Sequence, residues 1–395
     1  MRSCLKPAAL VLLCHAAISP AMAQSVFANG FETPCDLSDI DGDRLSGCQE
    51  KQHKTDPTGF DTDGDGIGDG DEVLGTIAGL NLPGMGARPR RKDILIEYDW
   101  FVDDAEQGLN GLCPAGVHSH RPEIESLEIV TAMFAAAPLA NPDGTHGIHV
   151  IHDYGQGGVF SGGSAVLDPN GDGLLEGSTA GFAYDAHYAN DFAQNRKGYF
   201  HYVVLPHRFK APNGRTDYSG YADLGSYLMR DEIIVSLYCA RSVTNVAHAI
   251  AHELGHNLGL RHGGYTSCND KPNYNSIMNY RYTFSGVDVD CSATGDGIPD
   301  YSSGVRSALD ESDLDEAAGV CNNVAIDWNF SGAIESGIQY DFNPVSGQGF
   351  CTGLTVLTDY DDWSNILIVM TLKGDEPGPD PIGEPIDCPP APLPN

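Results

Sequence analysis

Residues 252 to 262 read His252-Glu253-Leu254-Gly255-His256-Asn257-Leu258-Gly259-Leu260-Arg261-His262, and this stretch decides the fold. His252 and His256 stand one helical turn apart, so both imidazoles leave the same face of a helix. That geometry suits two ligands of a tetrahedral ion. Glu253 is adjacent and slightly rotated, placed to reach a water beside the ion rather than the ion itself. Gly259 tolerates a positive φ and ends the helix abruptly. The turn it permits brings His262 back as a third ligand. Three protein ligands leave one position open, which marks a catalytic rather than a structural zinc site. In a chain with 14 His and 47 Gly, chance gives this five-residue pattern roughly once in ten thousand chains. His248, one turn further back, reads as a cleft or packing histidine, because three ligands are already supplied.

Working outward, the helix spans about 242–258, with Val246, Ile250, Leu254 and Leu258 on its core face. Glu232 to Tyr238 precedes it and reads as a buried strand by its β-branched content. Further strands are expected at 93–98, 147–152 and 199–205. Pro122, Glu123 and Glu125 open another helix, with Ile124, Leu127, Thr131 and Phe134 near one face and Pro138 beyond its end. After Arg261 the chain is mostly loop. The fold class is α+β.

Shortly after His262 comes Ser276-Ile277-Met278-Asn279-Tyr280. H-E-x-x-H-x-x-G-x-x-H followed by a methionine turn resembles the metzincin superfamily of zinc metalloproteases. The resemblance runs over about residues 92–290 and is strongest over 242–282. It implies a twisted mixed sheet and an active-site helix above a cleft, with an irregular lower subdomain. It also implies that Met278 underlies the zinc site, and Tyr280 is similar to the tyrosine that astacins and serralysins place near the metal. Residue 263 is Gly, where those subfamilies, matrixins and reprolysins carry other residues, so the likeness is to the superfamily. The expected activity is zinc-dependent hydrolysis of peptide bonds in protein or peptide substrates. Glu253 would serve as general base and Tyr280 would help the oxyanion. No G-x-S-x-G nucleophile elbow is present.

A second metal is expected upstream. Asp61, Asp63, Asp65, Asp69 and Glu72 occupy the oxygen positions of a twelve-residue calcium loop. Asp39, Asp41, Asp43 and Glu50 repeat that spacing without an acid at position nine. The tandem resembles thrombospondin type-3 repeats, as in bacterial secreted metzincins that carry them. Asp168 to Glu176 and Asp327 to Glu335 are weaker candidates, equally readable as Asx-rich turns.

The 55 Asp and Glu against 22 Lys and Arg give a net charge of −33, which repels phosphate backbones and argues against nucleic acid as a partner. Residues 1–23 read as a signal peptide, with Arg2 and Lys6 before an apolar Ala8 to Ile18 and an Ala21-Met22-Ala23 cleavage site. No run is long enough for a membrane anchor. The expected location is outside the cell, or the periplasm of a Gram-negative source, where disulfides persist. Neighbouring cysteine pairs are Cys35 with Cys48, Cys268 with Cys291 and Cys321 with Cys351. The expected division is a calcium-loop region at 24–90, a protease domain at 91–373 and a Pro-rich flexible tail at 374–395. Two competing readings are a calcium-stabilised binding or adhesion module with a vestigial zinc site, and a zinc hydrolase acting on a non-peptide amide.

Overall fold

The computed structural model describes residues 36–105, 116–168, 171–176, 183–211, 214–222, 231–238, 242–266, 268–344, 353–368 and 386–387. Residues 1–35, which include the stretch read as a signal peptide and Cys35, lie outside them, as do Cys351 and nearly all of the stretch read as a tail. Three short helices come first: α1 (Gly47–His53), α2 (Asp69–Leu74) and α3 (Leu82–Met85). The central unit follows as β1 (Asp93–Asp103), β2 (His118–Ser119), α4 (Ile124–Ala135), β3 (His149–Asp153), β4 (Ala165–Val166), β5 (Leu174–Leu175), α5 (Ala183–Asn190), β6 (Phe200–Leu205), β7 (Arg208–Phe209), β8 (Gly220–Ala222), β9 (Glu232–Val235) and α6 (Val243–Asn257). Beyond it the described residues form two two-stranded ribbons, β10 (Leu309–Asp310) with β13 (Val356–Leu357) and β11 (Leu314–Asp315) with β12 (Ser336–Ile338). The last described strand is β14 (Ile386–Asp387), which pairs with β8 although it falls in the stretch read as a tail.

The main sheet runs β14-β8-β9-β6-β1-β2, with β3 and β4 also paired to β1. β1 is parallel to β3, β4 and β6, β6 is parallel to β9, and β2 and β8 are antiparallel to their neighbours. This is the expected mixed sheet. β1 alternates between two apolar layers, as strand geometry requires. Ile94, Ile96, Tyr98 and Trp100 join the layer beneath α4 and α6, while Leu95 and Phe101 join the opposite one. Both faces are covered, and the face of Leu95 and Phe101 also buries the carboxylates of Asp93, Glu97, Asp99 and Asp103. The core stripe of α4 is Leu127, Val130, Met133 and Phe134. Ile124, expected on that face, is 52% exposed, because it sits in the first turn beyond the edge of the layer.

The acidic region is not a detached linker. Ile67, Leu80, Leu82, Met85 and Ala87 bury themselves in the second layer with Phe200 and Tyr202. Asp65 Oδ2 accepts the backbone N–H of Asp93 at 2.7 Å, at the first residue of β1. A third cluster, around Leu309, Leu314, Trp328 and Leu357, holds the C-terminal ribbons. Here Cys291 bonds to Cys321, which overturns the expected pairs Cys268–Cys291 and Cys321–Cys351. The loops bring their Cα atoms to 5.4 Å, a closeness that sequence separation does not report. Cys48 and Cys268 are disulfide-bonded as well. Among the described residues, no helix is long and apolar enough to cross a membrane.

Candidate active site

α6 begins at an N-cap, Ser242, whose side chain accepts from the N–H of Asn245 at 3.0 Å. Val246, Ile250, Leu254 and Leu258 are all buried in the layer beneath the sheet. The opposite side of the helix carries the histidines. Gly259 takes φ +92° and ends the helix as expected, with Leu260 N–H bonding back to Gly255 at 2.9 Å. The turn after Gly259 delivers His262. His256 Nε2 then lies 3.2 Å from Nε2 of both His252 and His262.

The contact between His252 and His256 is not a hydrogen bond. His252 Nδ1 faces the carbonyl of Ile277 at 2.7 Å, and His256 Nδ1 faces that of Leu260 at 2.8 Å. Carbonyls only accept, so both Nδ1 atoms carry the proton and both Nε2 atoms are bare lone pairs. Three imidazoles crowded at this spacing match the edges of a zinc tetrahedron, about 3.3 Å for bonds of 2.0–2.1 Å. All three rings are buried. Desolvation draws His252 down to about 4 and, with the neighbouring imidazoles, draws His256 and His262 well below their ordinary value. Buried neutral imidazole is the form that binds a metal.

Met278, Tyr280 and Glu253 lie around the triad. Met278 is fully buried and passes beneath α6 at Gly255, where any Cβ would collide with its sulfur. Tyr280 sets its ring 4.2 Å from that of His262 and 6.3 Å from that of His252. Glu253 is 1% exposed. Its carboxylate lies against the Cα of Gly220, on β8, where a side chain would strike Oε1. His248 binds the carbonyl of Thr283 at 2.9 Å, consistent with packing rather than ligation. Gly263 has no room for a side chain, since a Cβ would meet the Cys268 carbonyl. Gly220, Gly255, Thr283 and Tyr301, whose hydroxyl donates to the Ala251 carbonyl at 2.6 Å, were not singled out from sequence, because only tertiary contacts give them a role.

The acidic loops form two copies of one turn. Asp39 Oδ1 and Oδ2 accept from Gly42 and Arg44, and Asp61 does the same for Gly64 and Gly66. Asp39, Asp41 and Asp43 converge, as do Asp61, Asp63 and Asp65. Asp69, expected at position nine of the second loop, accepts from Thr62 N–H and hydroxyl of that loop and also gathers with Asp43 and Glu50 of the first. Among the described residues, buried oxygens of Asp43, Glu50, Asp63 and Glu72 find no hydrogen-bond donor. Desolvation and mutual repulsion raise Asp63 to about 7 and push Asp65 and Glu72 up as well. Packed anionic oxygens of this kind fit a hard, oxygen-seeking cation. At the weaker candidate, Asp327 accepts from the N–H groups of Ser331 and Gly332, and Asn329 accepts from Ser331 in an Asx turn. Part of the Asp168 loop, including Asn170, lies outside the described residues.

Comparison with known proteins agrees with this geometry. The Peptidase_M57 family model, a dual-action HEIGH metallo-peptidase, matches residues 189–272. That span runs from the end of α5 through the three histidines, and here the signature reads His252-Glu253-Leu254-Gly255-His256. A search of curated proteins finds no match. Buried lone pairs converging at zinc spacing, a methionine turn beneath them and a metallopeptidase match across the helix that bears them lead to one conclusion: the chain is a zinc metallopeptidase of the metzincin type.

Proposed function

We propose that this metallopeptidase is an exported endopeptidase in which His252, His256 and His262 hold the zinc and Glu253 is the general base. The observation that carries the reading is the placement of Glu253: buried, next to a ligand, and opposed by a strand position that has no side chain. When bound, zinc supplies a Lewis acid that polarises the scissile carbonyl and acidifies an adjacent water. Glu253 takes the proton of the attacking water and returns it to the leaving amine. Tyr280, against His262, donates its hydroxyl to the developing oxyanion. Met278 fills the floor, so the two helical histidines keep their separation as the substrate enters.

Two calcium ions stabilise the acidic region in this proposal. One is held by Asp39, Asp41, Asp43, Glu50 and the borrowed Asp69, the other by Asp61, Asp63, Asp65 and Glu72. Each ion offsets two of the 33 excess negative charges. Export is supported by the leader-like residues 1–23 and by the Cys291–Cys321 bond, which an oxidising compartment preserves. The test is casein hydrolysis by the exported protein, with a zinc-selective chelator and with zinc restored. Activity that stops and returns supports the reading. Activity indifferent to chelation, or zinc-loaded protein that leaves casein intact, contradicts it.

A further inference from the structure

Away from the catalytic triad, one carboxylate and three histidines meet at the far end of the central strand. In register, Asp103 of β1 lies directly opposite His118 of β2, so the two side chains share a face of the ribbon. His120 N–H continues the ladder to the Phe101 carbonyl at 2.9 Å. Residues 118 and 120 therefore also share a face. His207 arrives from the turn between β6 and β7. Its carbonyl is pinned by Tyr238 N–H and by the Ser236 hydroxyl, each at 3.1 Å.

We propose that Asp103, His118, His120 and His207 form a second zinc site, closed and structural. Each offers one donor atom to a common point: a carboxylate oxygen, His118 Nε2, His120 Nε2 and a ring nitrogen of His207. The separations are 3.3 Å from His118 Nε2 and 3.8 Å from His207 Nδ1 to Asp103 Oδ1, 2.9 Å from His120 Nε2 to Asp103 Oδ2, and 3.4 Å between His118 Nε2 and His207 Nδ1. They scatter about the edge of roughly 3.3 Å that a zinc tetrahedron requires. The three ring centroids lie 5.0–5.5 Å apart with steep mutual tilts. The catalytic histidines, at 4.8–5.3 Å, show the same clustering.

His118 Nδ1 donates to the Gly116 carbonyl at 3.1 Å, which leaves Nε2 bare and facing inward. Asp103, His120 and His207 are buried, and the His118 side chain is only 17% exposed. Among the described residues the cluster brings together one carboxylate and three imidazoles. A divalent cation is matched by one carboxylate and three neutral imidazoles together. Imidazole-rich donors select zinc over calcium. Four protein ligands leave no open position, so this ion would do no chemistry. It would clip the edge ribbon of β1 and β2 to the turn that supports Ser236 and Tyr238 at the exit of β9.

Zinc counting on the full chain, purified in calcium-containing buffer and dialysed free of loose zinc, tests this. We expect two zinc ions per chain in the wild type, one in His256→Ala and one in His118→Ala, whose target is the least buried of the four ligands. His256→Ala loaded with Co²⁺ should show tetrahedral-type visible absorption that disappears when His118→Ala is added. One zinc in the wild type overturns the proposal, even if the variants fail to fold. So does a His118→Ala protein that retains two.

Discussion

His252 Nδ1 donates to the carbonyl oxygen of Ile277 at 2.7 Å, so the residue before Met278 sets the ring orientation of the first histidine of the triad. Thr283 braces the same carbonyl, its hydroxyl donating to Ile277 at 2.9 Å and contacting the Asn279 carbonyl at 3.0 Å. The methionine turn is thus both a floor and an orienting shell. Thr283→Val should lower zinc affinity about tenfold with the fold intact. Competition against a chromogenic chelator reads this directly, and unchanged affinity would refute the orienting role.

Gly220 explains how Glu253 fits beneath β8. Its φ is not in the left-handed region, so the lack of a side chain matters for space alone. Gly220→Ala should displace the Glu253 carboxylate and lower turnover by about 10–100-fold, since general bases contribute 10²–10⁴. Zinc content should not change. Zinc analysis beside peptide kinetics checks both halves, and full turnover in the alanine variant removes Gly220 from the account.

His201, on β6, is buried and bonds Asn257 at 3.0 Å. Burial lowers it from 6.5 to about 4. The unfolded chain therefore takes up the proton first as pH falls. The contribution of neutral His201 is fully present above pH 6.5 and is lost as pH drops toward about 4. The loss reaches roughly 3 kcal/mol at the lower end. His201→Gln keeps a partner for Asn257 but does not titrate, so its stability should fall less steeply across that window. Denaturant midpoints measured against pH will show it, and identical acid limbs would count against the assignment.

Calcium withdrawal should act on the acidic region without emptying the histidine site. Asp65 is bonded to Asp93 at the head of β1, so the effect should pass into the sheet as a lower melting temperature. A ligand at a hundredfold excess over its Kd stabilises by about 2.7 kcal/mol. Limited proteolysis with calcium-selective chelation should open new cuts within residues 36–90. An unchanged melting temperature together with an unchanged cutting pattern would leave the loops as solvated acidic turns.

The legible parts of this protein were local. α6 and its three histidines follow from helical spacing, one glycine and one N-cap, all within a single segment. β1, β6 and β9 announce themselves by apolar runs. What sequence concealed was non-local. Asp69 reads as part of its own loop, because a twelve-residue spacing carries no information about a neighbouring copy, and the fold also sets it beside Asp43 and Glu50. Cys291 found Cys321 rather than Cys268 because loop packing, not separation, sets Cα distances. Asp103, His118, His120 and His207 come from three segments with no motif among them. Only the pairing of β1 with β2 and the turn after β6 bring them together.

The central claim is that Glu253 moves the proton in peptide hydrolysis while the histidines alone hold the metal. Casein hydrolysis by zinc-loaded Glu253→Gln, with metal content measured on the same sample, tests it most directly. The account predicts wild-type zinc content, an unchanged melting temperature and turnover reduced by about 10²–10⁴-fold. Zinc-loaded Glu253→Gln that cleaves casein at the wild-type rate would contradict it.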